Sequence, residues 1–175
     1  DDMDYQENDL IAGKKFVTKL LNAGRFVFMN LKYQKEKPKL IETDRLFLVQ
    51  VNNLIKAASE SFEDFNYARS KLETERFFWR VFADNYLEIV KARVYNGTEE
   101  EKASAFWTLY QSLLAIVKLM APITPYITEE VYQNHFREFE KEKSIHISSW
   151  PGEIKIEKGG YLMWKKIVVF CFITY

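Results

Sequence analysis

The residues best suited to bind another molecule lie in a lysine-rich segment near the start of the chain. The stretch NAGRFVF, residues 22–28, contains Phe26 and Phe28 two positions apart, and on a helix two such rings face different directions. Phe28 follows the apolar stripe, whereas Phe26 points roughly 160° away from its centre. The outer strip that contains Phe26 also contains Lys15, Lys19, Asn22 and Asn30.

An aromatic ring among cations and amides is typical of surfaces that bind unpaired nucleic-acid bases. Phe26 would stack on a base, Asn22 and the flanking Arg25 would hydrogen-bond to base edges or backbone, and Lys15 and Lys19 would neutralise phosphates. The same ring could instead pack against a neighbouring helix or domain, because a bundle helix can bury two faces. Helical geometry alone leaves both interpretations open.

Charge is unevenly distributed along a chain that is neutral overall. Its 175 residues contain 25 Lys and Arg and 25 Asp and Glu, but residues 10–40 contain eight basic side chains and one acid, a net charge of +7. A weaker basic excess covers residues 76–95. Solvated helix faces would explain both regions, and the first also fits a nucleic-acid surface.

Residues for catalysis or metal binding are not grouped in the sequence. His135 and His146 have no neighbouring nucleophile or ligand set, and there is no glycine-rich phosphate loop. The acids Glu129 and Glu130 fall in the first turn of a predicted helix, where the helix dipole favours them. We therefore expect no catalytic residue, metal or cofactor in this chain. Cys171 is the only cysteine, which excludes an internal disulfide and favours a cytosolic setting.

Hydrophobic periodicity predicts an all-α fold, a helical bundle of four to five helices. The first helix covers residues 9–32 with Asp9 as its cap, and a charged loop with Pro38 follows. Thr43 or Asp44 is expected to cap the second helix.

A third helix is predicted from about residue 66 to residue 95, ending at Asn96 and a left-handed Gly97. It is apolar nearly all round between residues 77 and 90, which predicts that it is the central helix. Its polar wedge contains an Arg80–Asp84 pair at i, i+4 spacing. Leu87 and Lys91 border the wedge and are expected to be exposed enough to join an interface.

The remaining elements have clear start signals. Thr98 and Glu101 fit a capping box for a fourth helix that ends before Pro122. Thr124 as cap and Pro125 at the first helical position start a fifth, shorter helix. The stretch SIHISSWP, residues 144–151, is predicted to be extended chain folding back on the bundle.

Three motifs in order resemble one family. KLLNAGRFVF (19–28), FFWRVFADNYLEIVKARVYNG (77–97) and MAPITPYITEEVYQNHF with SIHISSWP (120–136, 144–151) resemble the C-terminal helical anticodon-binding domain of class Ia aminoacyl-tRNA synthetases. Among these, the chain is most similar to the valyl-tRNA synthetases of archaeal type. Isoleucyl- and leucyl-tRNA synthetases, and a helical protein-interaction module without RNA binding, are the alternatives.

The resemblance implies a bundle that receives the anticodon stem and loop of a tRNA. It places Arg25, Phe26 and Leu87 near the anticodon. To these residues we add Asn22 as a hydrogen-bonding group and Lys15, Lys19 and Lys91 as phosphate contacts, because of their type and position rather than the resemblance. The resemblance also implies a parent enzyme that ligates an amino acid to its tRNA with ATP and magnesium in a separate catalytic domain of the same polypeptide. The class I signatures for ATP binding are absent here, so we expect no aminoacylation by this chain alone.

The resemblance covers residues 9–151, which we predict to be the anticodon-binding domain. Residues 152–175 form an unassigned extension whose final stretch is almost entirely apolar, and we expect the chain to be a fragment of a longer protein. No uninterrupted apolar run reaches the roughly 18 to 20 residues of a membrane span, and the acidic start does not resemble a signal peptide. We expect a cytoplasmic protein.

Overall fold

The computed structural model of the chain describes residues 7–30 and 36–156, and these ranges form a helical bundle, as predicted. The acidic start and the apolar tail lie outside the described residues. Within the described ranges, six helices of ten residues or more, one more than the upper predicted number, are accompanied by a π-helical segment, one short helix and a 3-10 turn. They are α1 (Glu7–Asn30), α2 (Glu42–Glu63), α3 (Tyr67–Arg76), the π segment (Phe77–Tyr86), α4 (Leu87–Asn96), α5 (Glu99–Met120), α6 (Pro125–His135), α7 (Arg137–Glu140) and the turn Ile145–Ile147.

The most deeply buried helix is α5, which packs against α1, α2, α3, α4 and α6. Fourteen of its 22 residues are buried, so the central position predicted for residues 77–90 is wrong. Small hydroxyl residues explain the difference, because Ser104, Thr108 and Ser112 are fully buried and permit close helix contacts while interrupting the apolar pattern. Among the described helices, α5 is also long and apolar enough to cross a membrane, but 72% of that stretch is buried inside the bundle.

The carboxylate of Asp44 joins α2, the π segment, α4 and α5. It accepts hydrogen bonds from Tyr86 Oη at 2.7 Å, from Ser104 Oγ at 2.5 Å, and from both terminal nitrogens of Arg93 at 2.9 and 2.6 Å. Asp44 is fully buried, and the backbone N–H of Ile41 donates to Ser104 Oγ at 3.0 Å. Asp44 was expected as a helix cap, but α2 already begins at Glu42, so its side chain is available for this network.

The network keeps its donors protonated. Burial raises the pKa of Tyr86 well above its usual range, and the negative charge of Asp44 raises it further. The tyrosine therefore remains a neutral hydrogen-bond donor across the ordinary pH range. Buried carboxylates are tolerated only when every strong acceptor site is paired in this way.

The helix ends follow the predicted signals with four exceptions, of which the Asp44 cap is the first. The capping box of Thr98 and Glu101 is confirmed, and Pro125 is the first residue of α6. Thr124 precedes α6 but makes no side-chain cap, and α1 is already helical at Glu7, so Asp9 is not its cap. Gly97 is extended, with φ −73°; glycine is required there because a Cβ would lie 2.5 Å from the Arg93 carbonyl oxygen.

The segment after α7 folds back on the bundle, as predicted for residues 144–151, but it is not extended throughout. Its 3-10 turn packs on α6, where Ser144 Oγ and the N–H of Ile145 donate to Glu129, and contact with α2 begins at Trp150. Trp150 Nε1 donates to Ser59 Oγ at 2.8 Å. Further along, Asn52 exchanges two hydrogen bonds of 2.9 Å with the backbone of Ile154. The two sets of contacts show that this segment runs antiparallel to α2.

Substitution of Asp44 tests how strongly the network stabilises the fold. Asp44→Asn removes the charge that Arg93 faces, so we expect the free energy of unfolding to fall by about 3 to 5 kcal/mol. The control is Asp84→Asn, which breaks an exposed ion pair with Lys19 and should change stability by less than about 1 kcal/mol. Urea unfolding followed by circular dichroism measures both. Equal losses in the two variants would contradict the assigned role of Asp44.

Candidate nucleic-acid interface

The outer faces of α1 and α4 meet along one side of the bundle. Contacts advance together along both elements, from Phe16 on Phe78, through Lys19 on Asp84, to Phe26 on Tyr95, so α1 runs parallel to the π segment and α4. The predicted strip on α1 therefore faces solvent beside α4. We call this surface, formed by residues 15–29 of α1 and 84–95 of the π segment and α4, the α1–α4 face.

Phe26 is partly buried rather than projecting alone. Its ring meets the edge of Tyr95 with a centroid distance of 6.5 Å and an interplanar angle of 77°. The Nζ of Lys91 lies 6.0 Å from the centre of the Phe26 ring. The ring therefore packs on a neighbouring helix, as one of the two interpretations of Phe26 predicts, and it lies beside a cation. Stacking of Phe26 on a base stays a prediction.

Tyr95 is the residue that sequence reasoning missed. It is 58% exposed and lies one helical turn after Lys91, which is the i, i+4 spacing that places both on one face. The spacing to Lys91 can be read from the sequence, but the contact of Tyr95 with Phe26 depends on which helices meet. Met29, 84% exposed, extends the same surface one turn beyond Phe26.

Asn22 and Arg25 lie at the outer edge of the α1–α4 face, and both are exposed. Arg25 is close enough to His135 for its charge to contribute to a lowered pKa of that imidazole, of which burial is the larger cause. Hydrogen-bond donors at these two positions are available to a ligand that approaches Phe26. The side chain of Asn30 lies outside the described part of the structure.

Two of the three lysines predicted to bind phosphates are already in ion pairs. Lys19 Nζ lies 3.0 Å from Asp84 Oδ1 and 5.5 Å from the centre of the Trp79 ring. Lys91 Nζ lies 2.6 Å from Glu88 Oε1. Lys15 is exposed and forms no ion pair within the described ranges. The prediction of an ion pair between Arg80 and Asp84 is wrong, because Asp84 pairs with Lys19 of α1 instead.

Leu87 does not reach the surface, so its predicted exposure is wrong. Its side chain is only 7% exposed and belongs to the core. The cause is the ten-residue π segment that precedes it, because i→i+5 hydrogen bonding places more residues in each turn and shifts the faces of α4 from their α-helical positions. Ile89, 60% exposed, takes an outward position instead.

The inner side of α1 explains how one helix presents two surfaces. Phe28 stacks on His135 of α6 with a centroid distance of 4.7 Å and an angle of 8°. A Cβ at Gly24 would lie 3.1 Å from the same imidazole, so glycine allows α6 to approach closely. Phe28 therefore fixes α1 to the bundle while Phe26 faces α4.

The described residues contain no group of three or more His, Cys, Asp or Glu side chains able to hold a metal. A surface hollow of about 260 Å³ lies elsewhere, lined in part by Lys118, Pro122, His146 and Trp150. It shares no residue with the α1–α4 face.

Comparison with known proteins identifies the class to which this bundle belongs. Residues 44–168 match the family described as the anticodon-binding domain of tRNA ligase. This match covers most of the chain, and the chain belongs to that family.

The relatives narrow the class further. The chain is 35% identical over 163 residues to the valine–tRNA ligase of Haloarcula marismortui, 39% over 141 residues to that of Pyrococcus furiosus and 36% over 159 residues to that of Rickettsia felis. These alignments cover 92%, 78% and 83% of the chain, but only 17%, 16% and 18% of the respective relatives. The chain is thus similar to one part of these valine–tRNA ligases.

Truncation of Leu87 distinguishes a core residue from a surface residue. Leu87→Ala should lower the free energy of unfolding by about 2 to 5 kcal/mol, because it leaves a cavity beneath α4. The matched control is Ile89→Ala, two residues on and exposed, which should cost about 0.5 kcal/mol or less. Chemical denaturation of both variants checks this, and a small effect at Leu87 with a large one at Ile89 would reverse the assignment.

His135 should make stability depend on pH. Its pKa in the folded state is lowered, so below about pH 6.5 the unfolded chain binds a proton that the folded chain does not. Stability from this group is fully present above the unfolded pKa and is lost as the pH falls toward the folded value. His135→Gln should therefore flatten the decrease in melting temperature between about pH 6.5 and 5, with His146→Gln as the control for removing an imidazole. If the melting temperatures of wild type and His135→Gln fell equally between these pH values, this assignment would be contradicted.

Proposed function

We propose that this chain recognises the anticodon of a valine tRNA as one domain of a valine–tRNA ligase. The observation on which the proposal rests is the α1–α4 face, where the rings of Phe26 and Tyr95 meet beside Lys91. Rings flanked by cations and amides suit unpaired bases, which must be stacked and hydrogen-bonded at the same time. Membership of the anticodon-binding family supports this assignment.

Each residue of the face has a proposed role. The accessible face of the Phe26 ring stacks on an anticodon base, while Arg25 and Asn22 donate hydrogen bonds to base edges or backbone. Lys15 contacts a phosphate directly. Lys19 and Lys91 each contact a phosphate that replaces the carboxylate with which the lysine is now paired. Leu87 supports α4 from below, so its contribution to anticodon binding is one of positioning.

The rest of the activity is proposed for the parent protein. Because the chain spans less than a fifth of its relatives, ligation of valine with ATP and magnesium is assigned to a catalytic domain of the same polypeptide, in the cytoplasm. The names of these relatives favour valine over isoleucine or leucine. Their family also favours RNA over a purely protein partner for the α1–α4 face.

Loss of the Phe26 ring should weaken binding of an anticodon stem-loop. Stacking of one base on an aromatic ring contributes about 1 to 3 kcal/mol, so Phe26→Leu should reduce affinity about tenfold or more. Leucine is chosen because it preserves packing against Tyr95, and circular dichroism checks that the variant folds. Fluorescence anisotropy with a labelled 17-nucleotide stem-loop bearing a valine anticodon measures the change. Unchanged affinity would remove Phe26 from the interface.

Salt and anticodon identity provide the controls for this experiment. Lys15→Ala should reduce the slope of log affinity against log salt by about 0.7 to 0.9, whereas Phe26→Leu should leave the slope unchanged. A stem-loop that differs only in its anticodon bases should bind more weakly to the wild type, and Phe26→Leu should narrow that difference. Equal binding of both stem-loops would refute anticodon recognition by this chain.

A further inference from the structure

The turn between α2 and α3 places a phenylalanine where glycine is the usual residue. The N–H of Asn66 donates to the Ser61 carbonyl at 2.8 Å and the N–H of Phe65 to the Phe62 carbonyl at 3.0 Å, which together form a Schellman motif. Phe65 occupies its left-handed position with φ 57°, a conformation that side chains with a Cβ disfavour. Its ring is 78% exposed, so burial does not offset the strain.

Phe65 is the outermost ring of a connected aromatic surface. Its ring meets Tyr67 at 6.3 Å, Tyr67 meets Phe62 at 5.3 Å, and Phe62 meets the edge of Trp150 at 4.9 Å between ring centres. Tyr67 is 48% and Trp150 40% exposed. The hydrogen bond from Trp150 to Ser59 fixes the far end. We call Phe62, Phe65, Tyr67 and Trp150 the aromatic patch.

The charges beside the aromatic patch are acidic, and they lie at the end of α2 where the helix dipole disfavours acids. Glu60, Glu63 and Asp64 are exposed at the C-terminal end of α2, whose last turn contains no basic residue. Carboxylates at this end face the negative pole of the helix dipole and are unfavourable there. The nearby cation Arg69 is held by Glu73 at 2.8 Å, and Lys56 lies 3.9 Å from Glu60. Neither the strained backbone of Phe65 nor the unfavourable acids stabilise the fold in an evident way. Features that reduce stability without a structural reason indicate a function.

We propose that the aromatic patch docks an arginine-containing basic segment of a partner protein. A guanidinium group can stack on the exposed rings of Phe65 and Tyr67 while it pairs with the carboxylate of Asp64 or Glu63. A mixture of exposed aromatics and polar groups is characteristic of interfaces between separate proteins. The acidic rim repels RNA phosphates, so this surface complements the basic α1–α4 face rather than extending it.

The test measures binding of a fluorescein-labelled nine-arginine peptide to the 175-residue chain by fluorescence anisotropy. Wild type should bind saturably, and Phe65→Gly should weaken binding about three- to tenfold. The same substitution relieves the left-handed strain, so it should raise the melting temperature by about 2 to 4 °C. Weaker binding by a more stable protein cannot be attributed to unfolding.

Charge reversal separates this site from general electrostatic attraction. Asp64→Lys should weaken peptide binding as much as Phe65→Gly does, while Glu100→Lys, at an exposed acid in the first turn of α5, should have little effect. If Asp64→Lys and Glu100→Lys reduced the affinity for the peptide equally, or if Phe65→Gly left it unchanged, the proposal would be overturned. Binding of a ten-nucleotide oligouridine that depends on Phe65 would also overturn it, because the patch would then be a nucleic-acid site.

Discussion

The buried carboxylate of Asp44 is the constraint on which the arrangement of the bundle depends. An unpaired charge at this position would be too costly to bury, so the partners on three other elements must all reach it at once. The bidentate contact with Arg93 fixes the rotation of α4 about its own axis. The π segment sets this orientation and the contact holds it, so Leu87, Val90 and Val94 lie in the core while Lys91 and Tyr95 face α1.

The same constraint explains why the α1–α4 face consists of two helices although its basic residues are concentrated on one. Phe26 alone would present a single ring to solvent, whereas α4 supplies the edge of Tyr95 and the ammonium of Lys91. On the inner side, Gly24 lets His135 approach and Phe28 stack. The position of the outer ring is therefore set by packing on both sides of α1.

Helix order, the capping box at Thr98 and the proline start at Pro125 could be predicted because each depends on residues within one turn of each other. The outward strip of α1 could be predicted for the same reason. Leu87 could not, because a projection at 100° per residue assumes continuous α-helix and no local signal marks the π segment. Tyr95 and Asp44 required knowledge of which helices meet, which periodicity within one helix does not contain.

The ion pairs on the α1–α4 face change how its basic charge acts. Lys19 and Lys91 are matched by Asp84 and Glu88, so the field of this face is weaker than the +7 of residues 10–40 would suggest. Exposed pairs contribute only about 0 to 1 kcal/mol each, so an approaching phosphate can replace a carboxylate at small cost. The carboxylates thus discourage unspecific attraction at long range while leaving the lysines available on contact. Under the proposed function, discrimination between ligands would then depend mainly on the rings and on the donors of Asn22 and Arg25, whose proposed interactions require an unpaired base.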